Sequence, residues 1–218
     1  MNYESLIFDI DGTLWDSRAL VAEGYNIQLK AEGLEHLCVT AEDLKPLFGK
    51  VMTFLKPLFG KVMTEIADAM LASIPEDCRY DLMERCMATE NKYLEENPCH
   101  IGYPGVRETM AKLSEKYRLF IVSNSQRGYP ELCIGKMGLA PYIQGHMCFG
   151  DTGTSKGKTI RTLMEKHGIE SCAYIGDTQG DYEATVEAEV PFIWCAFGFG
   201  VPDGYAQKVD RFEDLLNL

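Results

Sequence analysis

The hydrophobic pattern changes along the chain from strand-like to helical, and then to an alternation of the two. Residues 5–10 (SLIFDI) form a short apolar run that ends in Asp-Gly, which is typical of a buried strand followed by a turn. Residues 16–97 carry few strand signals and favour helices. The apolar positions that mark these helices are Leu20, Tyr25, Ile27, Leu29, Ile66, Met70, Leu71, Leu82, Cys86, Tyr93 and Leu94.

The remainder of the chain alternates between helical and strand patterns. The predicted helices are 106–115, 129–138, 156–167 and 181–188, and the predicted strands are 118–123, 146–149, 172–176 and 191–195. This alternation predicts an α/β fold with a doubly wound parallel sheet. Residues 1–15 and 98–218 would form the core domain, and residues 16–97 would form a separate, inserted α-helical cap domain.

A tandem repeat lies within the predicted cap. Residues 44–53 (LKPLFGKVMT) recur unchanged at 55–64, so the period is 11 residues and the copies span 44–54 and 55–65. Eleven residues are close to three helical turns, so a duplication of this length nearly preserves helical phase. We interpret the repeat as a duplication that the cap tolerates; a second functional loop is the alternative.

Composition and charge narrow the functional classes. The 218 residues are 46% hydrophobic and 25% charged, as in ordinary globular proteins, and no apolar run is long enough for a membrane span. The net charge of −12 argues against nucleic acid or an anionic membrane as a partner. The N-terminus lacks a signal-peptide pattern, and the eight cysteines include no C-x-x-C pair. We therefore expect a cytoplasmic protein with free thiols.

Two aspartates interrupt the otherwise apolar first strand. Asp9 and Asp11 stand near its carboxyl end, where open α/β sheets place their ligands. Residues two apart on a strand point to the same side, so we expect the two carboxylates to share a site. Such a pair suits a hard cation with oxygen ligands, or nucleophilic and acid/base chemistry.

The segment D-I-D-G-T-L at 9–14 resembles the first motif of the haloacid dehalogenase superfamily. Ser123-Asn124, Lys156 and G-D-T-x-x-D at 176–181 resemble its second, third and fourth motifs, in the same order and each near a strand end. The resemblance covers nearly the whole chain and is closest to the phosphoglycolate-phosphatase-like branch with a helical cap. One departure is Glu189, which stands where the family has glycine at a left-handed helix end. We expect either a strained or a rebuilt helix end there, at a cost of about 1 kcal/mol.

The resemblance implies a Mg²⁺-dependent phosphatase that acts through an aspartyl-phosphate. Asp9 would be the nucleophile, and Asp11 would protonate the leaving oxygen and later activate water. Mg²⁺ would be held by Asp9, by the backbone carbonyl of Asp11 and by Asp177, with Asp181 acting through water. The phosphoryl oxygens would be bound by the remaining candidates, which are Ser123, the Asn124 backbone amide and Lys156.

Several alternatives stay open at this stage. Lys158 is a second candidate for the third motif, and Gly157-Lys158-Thr159 resembles the end of a P-loop, although Thr152 stands where that pattern requires glycine. A phosphomutase and a non-enzymatic binding protein on the same fold are further possibilities. The sequence indicates a small phosphorylated metabolite as the substrate but does not say which one. It leaves open whether Gly49-Lys50 or Gly60-Lys61 forms the cap loop, and whether the protein is a monomer or a small homo-oligomer.

Overall fold

A computed structural model describes residues 3–44, 67–99 and 101–218 of the chain. Apart from Leu44, both copies of the tandem repeat lie outside the described residues, as does Ile66. The chain divides into two compact units, one made of Met1–Asp16 and His100–Leu218 and the other of Ser17–Cys99. Across the described residues, no helix has both the length and the apolar character needed to cross a bilayer.

The larger unit is built on a six-stranded sheet in which every neighbouring pair of strands is parallel. The strands are β1 (Ser5–Phe8), β2 (Arg118–Ser123), β3 (Ile143–Cys148), β4 (Cys172–Gly176), β5 (Phe192–Cys195) and β6 (Gln207–Val209). Their order across the sheet is β3-β2-β1-β4-β5-β6. The central strands are almost wholly buried, which explains why their sequences are continuous apolar runs rather than alternating ones.

Helices connect these strands in the order that the sequence pattern predicts. They are Val106–Leu113, Tyr129–Lys136, Phe149–Thr152, Lys156–His167 and Gln179–Ala188, with a 3₁₀ helix at Phe212–Asn217. The doubly wound α/β prediction is therefore confirmed. The sequence pattern misses β6 and the short helix at 149, and it extends β1 two residues too far. β6 has only three residues, two of them exposed, so it has too little apolar pattern to be recognised.

The strand order fixes where a ligand can bind. From β1 the chain moves outward to β2 and β3 on one side, and then returns to β4, β5 and β6 on the other. The connections after β1 and β4 therefore leave in opposite directions, and this opens a crevice at the carboxyl ends of these two strands. Asp9 directly follows β1 and Asp177 directly follows β4.

The smaller unit is helical in its described residues. It contains Arg18–Ala31, a 3₁₀ turn at Glu35–Leu37, Ala41–Leu44, a helical segment at 67–70 and the long helix Glu76–Glu96. The first and last of these helices pack around a core that includes Tyr25, Leu29 and Met83. Gly24 permits their close approach, because a Cβ there would lie 2.7 Å from Cα of Glu90.

Glu189 ends helix Gln179–Ala188 in the left-handed conformation, with φ 60° and ψ 39°. It is the one non-glycine residue with positive φ among the described residues, so of the two expected helix ends the structure has the strained one. We expect Glu189→Gly to stabilise the protein by about 1 kcal/mol and to raise Tm by about 2–4 °C in thermal unfolding. The exposed ion pair with Arg161, at 3.4 Å, would be lost at little cost.

Glu189→Ala is the matched control for this prediction. It removes the same ion pair but keeps a Cβ in the left-handed region, so we expect no gain in Tm. If Glu189→Ala stabilised the protein as much as Glu189→Gly, the backbone conformation would not be the cause.

Candidate active site

Lys156 is the cation at the centre of a buried cluster of carboxylates. It is the first residue of helix Lys156–His167, and Ser155 caps that helix by accepting a hydrogen bond from the Lys158 amide. The Lys156 Nζ lies 2.9 Å from Oδ1 of Asp9 and 2.7 Å from Oδ1 of Asp181. All three side chains are almost wholly buried, so the lysine bridges two carboxylates in a site of low dielectric.

Asp181 is held by hydrogen bonds on both of its carboxylate oxygens. Oδ2 accepts from the backbone amides of Asp177 and Thr178 and from the Thr178 hydroxyl. The bond from the Thr178 amide, together with the bond that the Thr178 Oγ1 accepts from the Asp181 amide, forms a capping box at the start of helix Gln179–Ala188. Oδ1 accepts from Lys156 and, at 3.3 Å, from the Tyr174 hydroxyl. With both oxygens occupied by protein donors, Asp181 orients the lysine and the turn.

Asp177 is held by two other loops that converge on it. Its Oδ1 accepts from the Thr13 hydroxyl at 3.0 Å, and its Oδ2 accepts from the Phe199 amide at 2.7 Å. Gly12 and Gly198 allow this approach, because a Cβ at either position would overlap the Asp177 side chain. The loop at 197–200 thus supplies one of the donors to Asp177.

Asp11 lies beside this cluster and has a different partner. The first strand ends at Phe8, and a tight turn follows in which Ile10 O accepts from the amides of Thr13 and Leu14. We expected strand alternation to place the Asp11 side chain on the same side as that of Asp9. This explanation is wrong, because the strand ends before Asp9 and Asp11 lies in the turn. The Asp11 carboxylate instead accepts a 2.6 Å hydrogen bond from the Tyr129 hydroxyl.

Ser123 and Asn124 lie at the carboxyl end of β2, next to β1 in the sheet. The Ser123 Oγ accepts from the Ser125 amide at 3.2 Å, which leaves its hydroxyl hydrogen to donate elsewhere. The Asn124 Oδ1 and the Ser125 Oγ are buried and find no hydrogen bond within the described part of the chain. Buried polar atoms of this kind are costly unless a ligand or water satisfies them. The Ser123 and Ser125 hydroxyls can donate to an oxyanion, whereas Asn124 Oδ1 is an acceptor and requires a donor.

The carboxylates differ in their electrostatics. Burial raises the pKa of Asp9 to about 7; Lys156 opposes the shift, whereas Asp181 and Asp11 add to it. Burial, with Asp181 and Asp9, also raises the pKa of Asp177 well above its usual value. Burial would raise the pKa of Asp181 too, but Lys156 and Thr178 outweigh that effect and lower it. The cluster therefore holds more negative charge than one lysine neutralises, and a cation would stabilise it.

Residues 6–195 match the family of haloacid dehalogenase-like hydrolases. The chain belongs to this family. It is 30% identical over 200 residues to a phosphoglycolate phosphatase of Agrobacterium fabrum, a match that covers 88% of this chain and 80% of the relative. A phosphoglycolate phosphatase of Photobacterium profundum is 26% identical over 229 residues, covering 98% of this chain and 94% of the relative.

Solved structures of haloacid dehalogenase-like proteins share the fold. A predicted phosphoglycolate phosphatase from Haemophilus somnus superposes with a TM-score of 0.78 at 21% identity, and covers 100% of this chain and 98% of its own. A family hydrolase from Streptococcus pneumoniae gives a TM-score of 0.77 at 18% identity, with 99% of this chain and 97% of its own covered.

The donor set fits the divalent cation expected of a haloacid dehalogenase-like hydrolase. Among the described residues, Asp9, Asp177 and Asp181 each offer a carboxylate oxygen, and these oxygens lie within 4.8 Å of one another. Oxygen ligands and few carboxylates suit Mg²⁺. Each oxygen of Asp181 already accepts at least two hydrogen bonds, one of them from Lys156, whereas each oxygen of Asp177 accepts one. Asp9 and Asp177 are therefore the better direct ligands, and Asp181 would bind the cation through water.

The alternative third-motif residue, Lys158, is exposed, whereas Lys156 is buried against Asp9. Gly157 has a packing role that a P-loop does not require, because a Cβ there would lie 2.5 Å from Oε2 of Glu187 and 2.8 Å from the Ala184 carbonyl oxygen. The geometry thus favours Lys156 and gives no support to nucleotide binding at 157–159.

Proposed function

We propose that this hydrolase is a Mg²⁺-dependent phosphomonoester hydrolase that acts on a small phosphorylated metabolite through an aspartyl-phosphate on Asp9. The observation that carries the proposal is the buried cluster at the switch point of the sheet, in which Lys156 bridges Asp9 and Asp181 and the carboxylates of Asp9, Asp177 and Asp181 lie close together. Family membership and the curated relatives support the phosphatase class.

In the first step, the Asp9 carboxylate attacks phosphorus and the bond from phosphorus to the ester oxygen breaks. Asp11 gives its proton to that oxygen, which leaves as an alcohol. Lys156, the Ser123 hydroxyl and the Asn124 amide bind the phosphoryl oxygens. Lys156 is well placed because its Nζ already lies 2.9 Å from the attacking carboxylate.

In the second step, water attacks the phosphorus of the aspartyl-phosphate. Asp11, now a carboxylate, takes a proton from the water as the bond between phosphorus and the Asp9 oxygen breaks, which returns Asp9 and releases phosphate. Mg²⁺, held by Asp9, Asp177 and the Asp11 backbone carbonyl, would neutralise charge on the phosphoryl oxygens. Asp181 keeps Lys156 and the Asp177 turn in place.

Phosphoglycolate is the first substrate to test, because it is the substrate in the names of two curated relatives. Sugar phosphates, nucleoside monophosphates and pyrophosphate complete the panel, since the residues around Asp9 recognise the phosphoryl group rather than the alcohol.

The test is hydrolysis of p-nitrophenyl phosphate and of this panel, with Mg²⁺ and with EDTA. We expect turnover with Mg²⁺, loss of nearly all activity with EDTA and recovery when excess Mg²⁺ is added back. Released inorganic phosphate is the measurement, and its recovery after metal addition is the control for irreversible damage.

Two results would contradict the proposal in different ways. Transfer of the phosphoryl group to a second hydroxyl of a sugar phosphate, without release of phosphate, would identify a phosphomutase. Binding of phosphorylated ligands with no turnover of any ester would identify a non-enzymatic binding protein.

A further inference from the structure

Tyr129 makes a hydrogen bond that none of the four family motifs accounts for. Its side chain is buried, and its hydroxyl donates to Oδ1 of Asp11 over 2.6 Å. We infer that Tyr129 is a positioning residue for the acid/base step, which holds one oxygen of Asp11 so that the proton moves through the other, Oδ2. This inference rests on the proposed role of Asp11.

The backbone places Tyr129 at this point through a constrained helix start. Gly128, with φ 88°, precedes helix Tyr129–Lys136, and Pro130 stands in its first turn. Glycine takes this left-handed conformation without strain, and proline fits the first helical turn. Because β2 and β1 are parallel neighbours, the helix that follows β2 begins beside the turn that follows β1.

The turn that carries Asp11 is equally constrained. Gly12 has φ 85°, and its amide donates to the Trp15 carbonyl at 2.9 Å, so the backbone around Asp11 is closed on itself. The turn fixes the Cα of Asp11, and the Tyr129 hydroxyl fixes its carboxyl group. Hydrogen bonds from a hydroxyl to a carboxylate are short and strong, as this one is.

The hydrogen bond makes the two oxygens of Asp11 chemically different. Because the Tyr129 hydroxyl donates to Oδ1, that oxygen must accept with a lone pair. When Asp11 is protonated, its acid proton therefore resides on Oδ2. In the first step this proton passes to the ester oxygen as its bond to phosphorus breaks. In the second step a water proton passes to Oδ2, and the Tyr129 hydrogen bond persists throughout. Such positioning matters because general acid catalysis depends on the geometry of the donor.

Tyr129→Phe tests the inference, because it removes the hydroxyl and keeps the ring. The variant and wild type are compared on phosphate monoesters whose leaving groups range from p-nitrophenol to simple alcohols, in single-turnover experiments with Mg²⁺. We expect a loss of about 10- to 100-fold for alkyl esters, which need protonation, and less than about 3-fold for p-nitrophenyl phosphate, which does not.

Tyr117→Phe is the matched control, because its hydroxyl bonds to the Leu218 carbonyl oxygen and not to a site residue. We expect it to match wild type on every ester. A loss in Tyr129→Phe that is equal for all leaving groups would overturn the inference and leave Tyr129 a packing role only. If wild type hydrolysed none of the esters, the proposed function itself would fail.

A second pair of variants tests the inference if Tyr129→Phe folds poorly. Site-specific replacement of Tyr129 by p-aminophenylalanine keeps a donor, whereas p-methylphenylalanine fills the same space without one. We expect the amino variant to retain activity on alkyl esters and the methyl variant to lose it. Equal activity of the two variants would overturn the inference, whatever their stability.

Discussion

Asp9→Asn is expected to lower kcat by roughly 10⁴-fold or more, with the fold intact. An amide of the same shape can still accept the Lys156 hydrogen bond, but it does not attack phosphorus. The loss therefore falls on the chemical step rather than on binding. Because one buried negative charge is removed from a cluster with excess negative charge, we expect the metal-free variant to be at least as stable as wild type.

The measurement is hydrolysis of the best ester, together with acid quenching of a single turnover of radiolabelled ester. Wild type should carry hydroxylamine-labile label and Asp9→Asn none. Asp81→Asn, an exposed change in helix Glu76–Glu96, is the matched control and should behave as wild type. Label on the Asp9→Asn protein, or activity within about 10-fold of wild type, would exclude Asp9 as the nucleophile.

The fold is predictable because its central strands are buried on both faces. β1, β2 and β4 are apolar runs flanked by helical periodicity, and this alternation is sufficient to predict a parallel sheet. β6 is not predictable in this way, since two of its three residues are exposed and its place in the sheet depends on pairing with β5. The error at β1 has the opposite origin. The apolar pattern continues through Ile10, whereas the backbone turns after Phe8, so the sequence predicts a strand two residues too long.

The candidate site is predictable only as far as sheet geometry determines it. Asp9 and Asp177 each follow a parallel strand and Ser123 is the last residue of one, and the carboxyl ends of adjacent parallel strands meet at one edge. The residues that hold these side chains carry no comparable signal. In the sequence, nothing distinguishes Tyr129 from other helical residues or Gly198 from other glycines in turns.

The choice between Lys156 and Lys158 shows the same limit. Both lysines lie in the first turn of the same helix, two residues apart. In the sequence, only the resemblance of Lys156 to the third family motif distinguishes them. Positions two apart on a helix face different directions, so only one can reach the carboxyl end of β1. Lys156 does so and is buried between two carboxylates, while Lys158 remains exposed.

This difference predicts that Lys156→Met destabilises the protein strongly and in a pH-dependent way. In the metal-free wild type, Asp9 has a pKa of about 7, raised from 3.8, so the folded state binds more protons than the unfolded state between these values. The free energy of unfolding therefore falls as the pH rises through this window. Without Lys156, which lowers the pKa of both Asp9 and Asp181, both values rise and the fall becomes steeper.

We expect Lys156→Met to lose about 3–5 kcal/mol of unfolding free energy near pH 8, because it leaves buried carboxylates without their cation, and much less near pH 5, where they can be protonated. Urea unfolding in EDTA at both pH values is the measurement. Lys158→Met, an exposed lysine on the same helical turn, should change the free energy by less than about 0.5 kcal/mol at either pH. A deficit in Lys156→Met that does not vary with pH would mean that the lysine acts through packing rather than by neutralising Asp9 and Asp181.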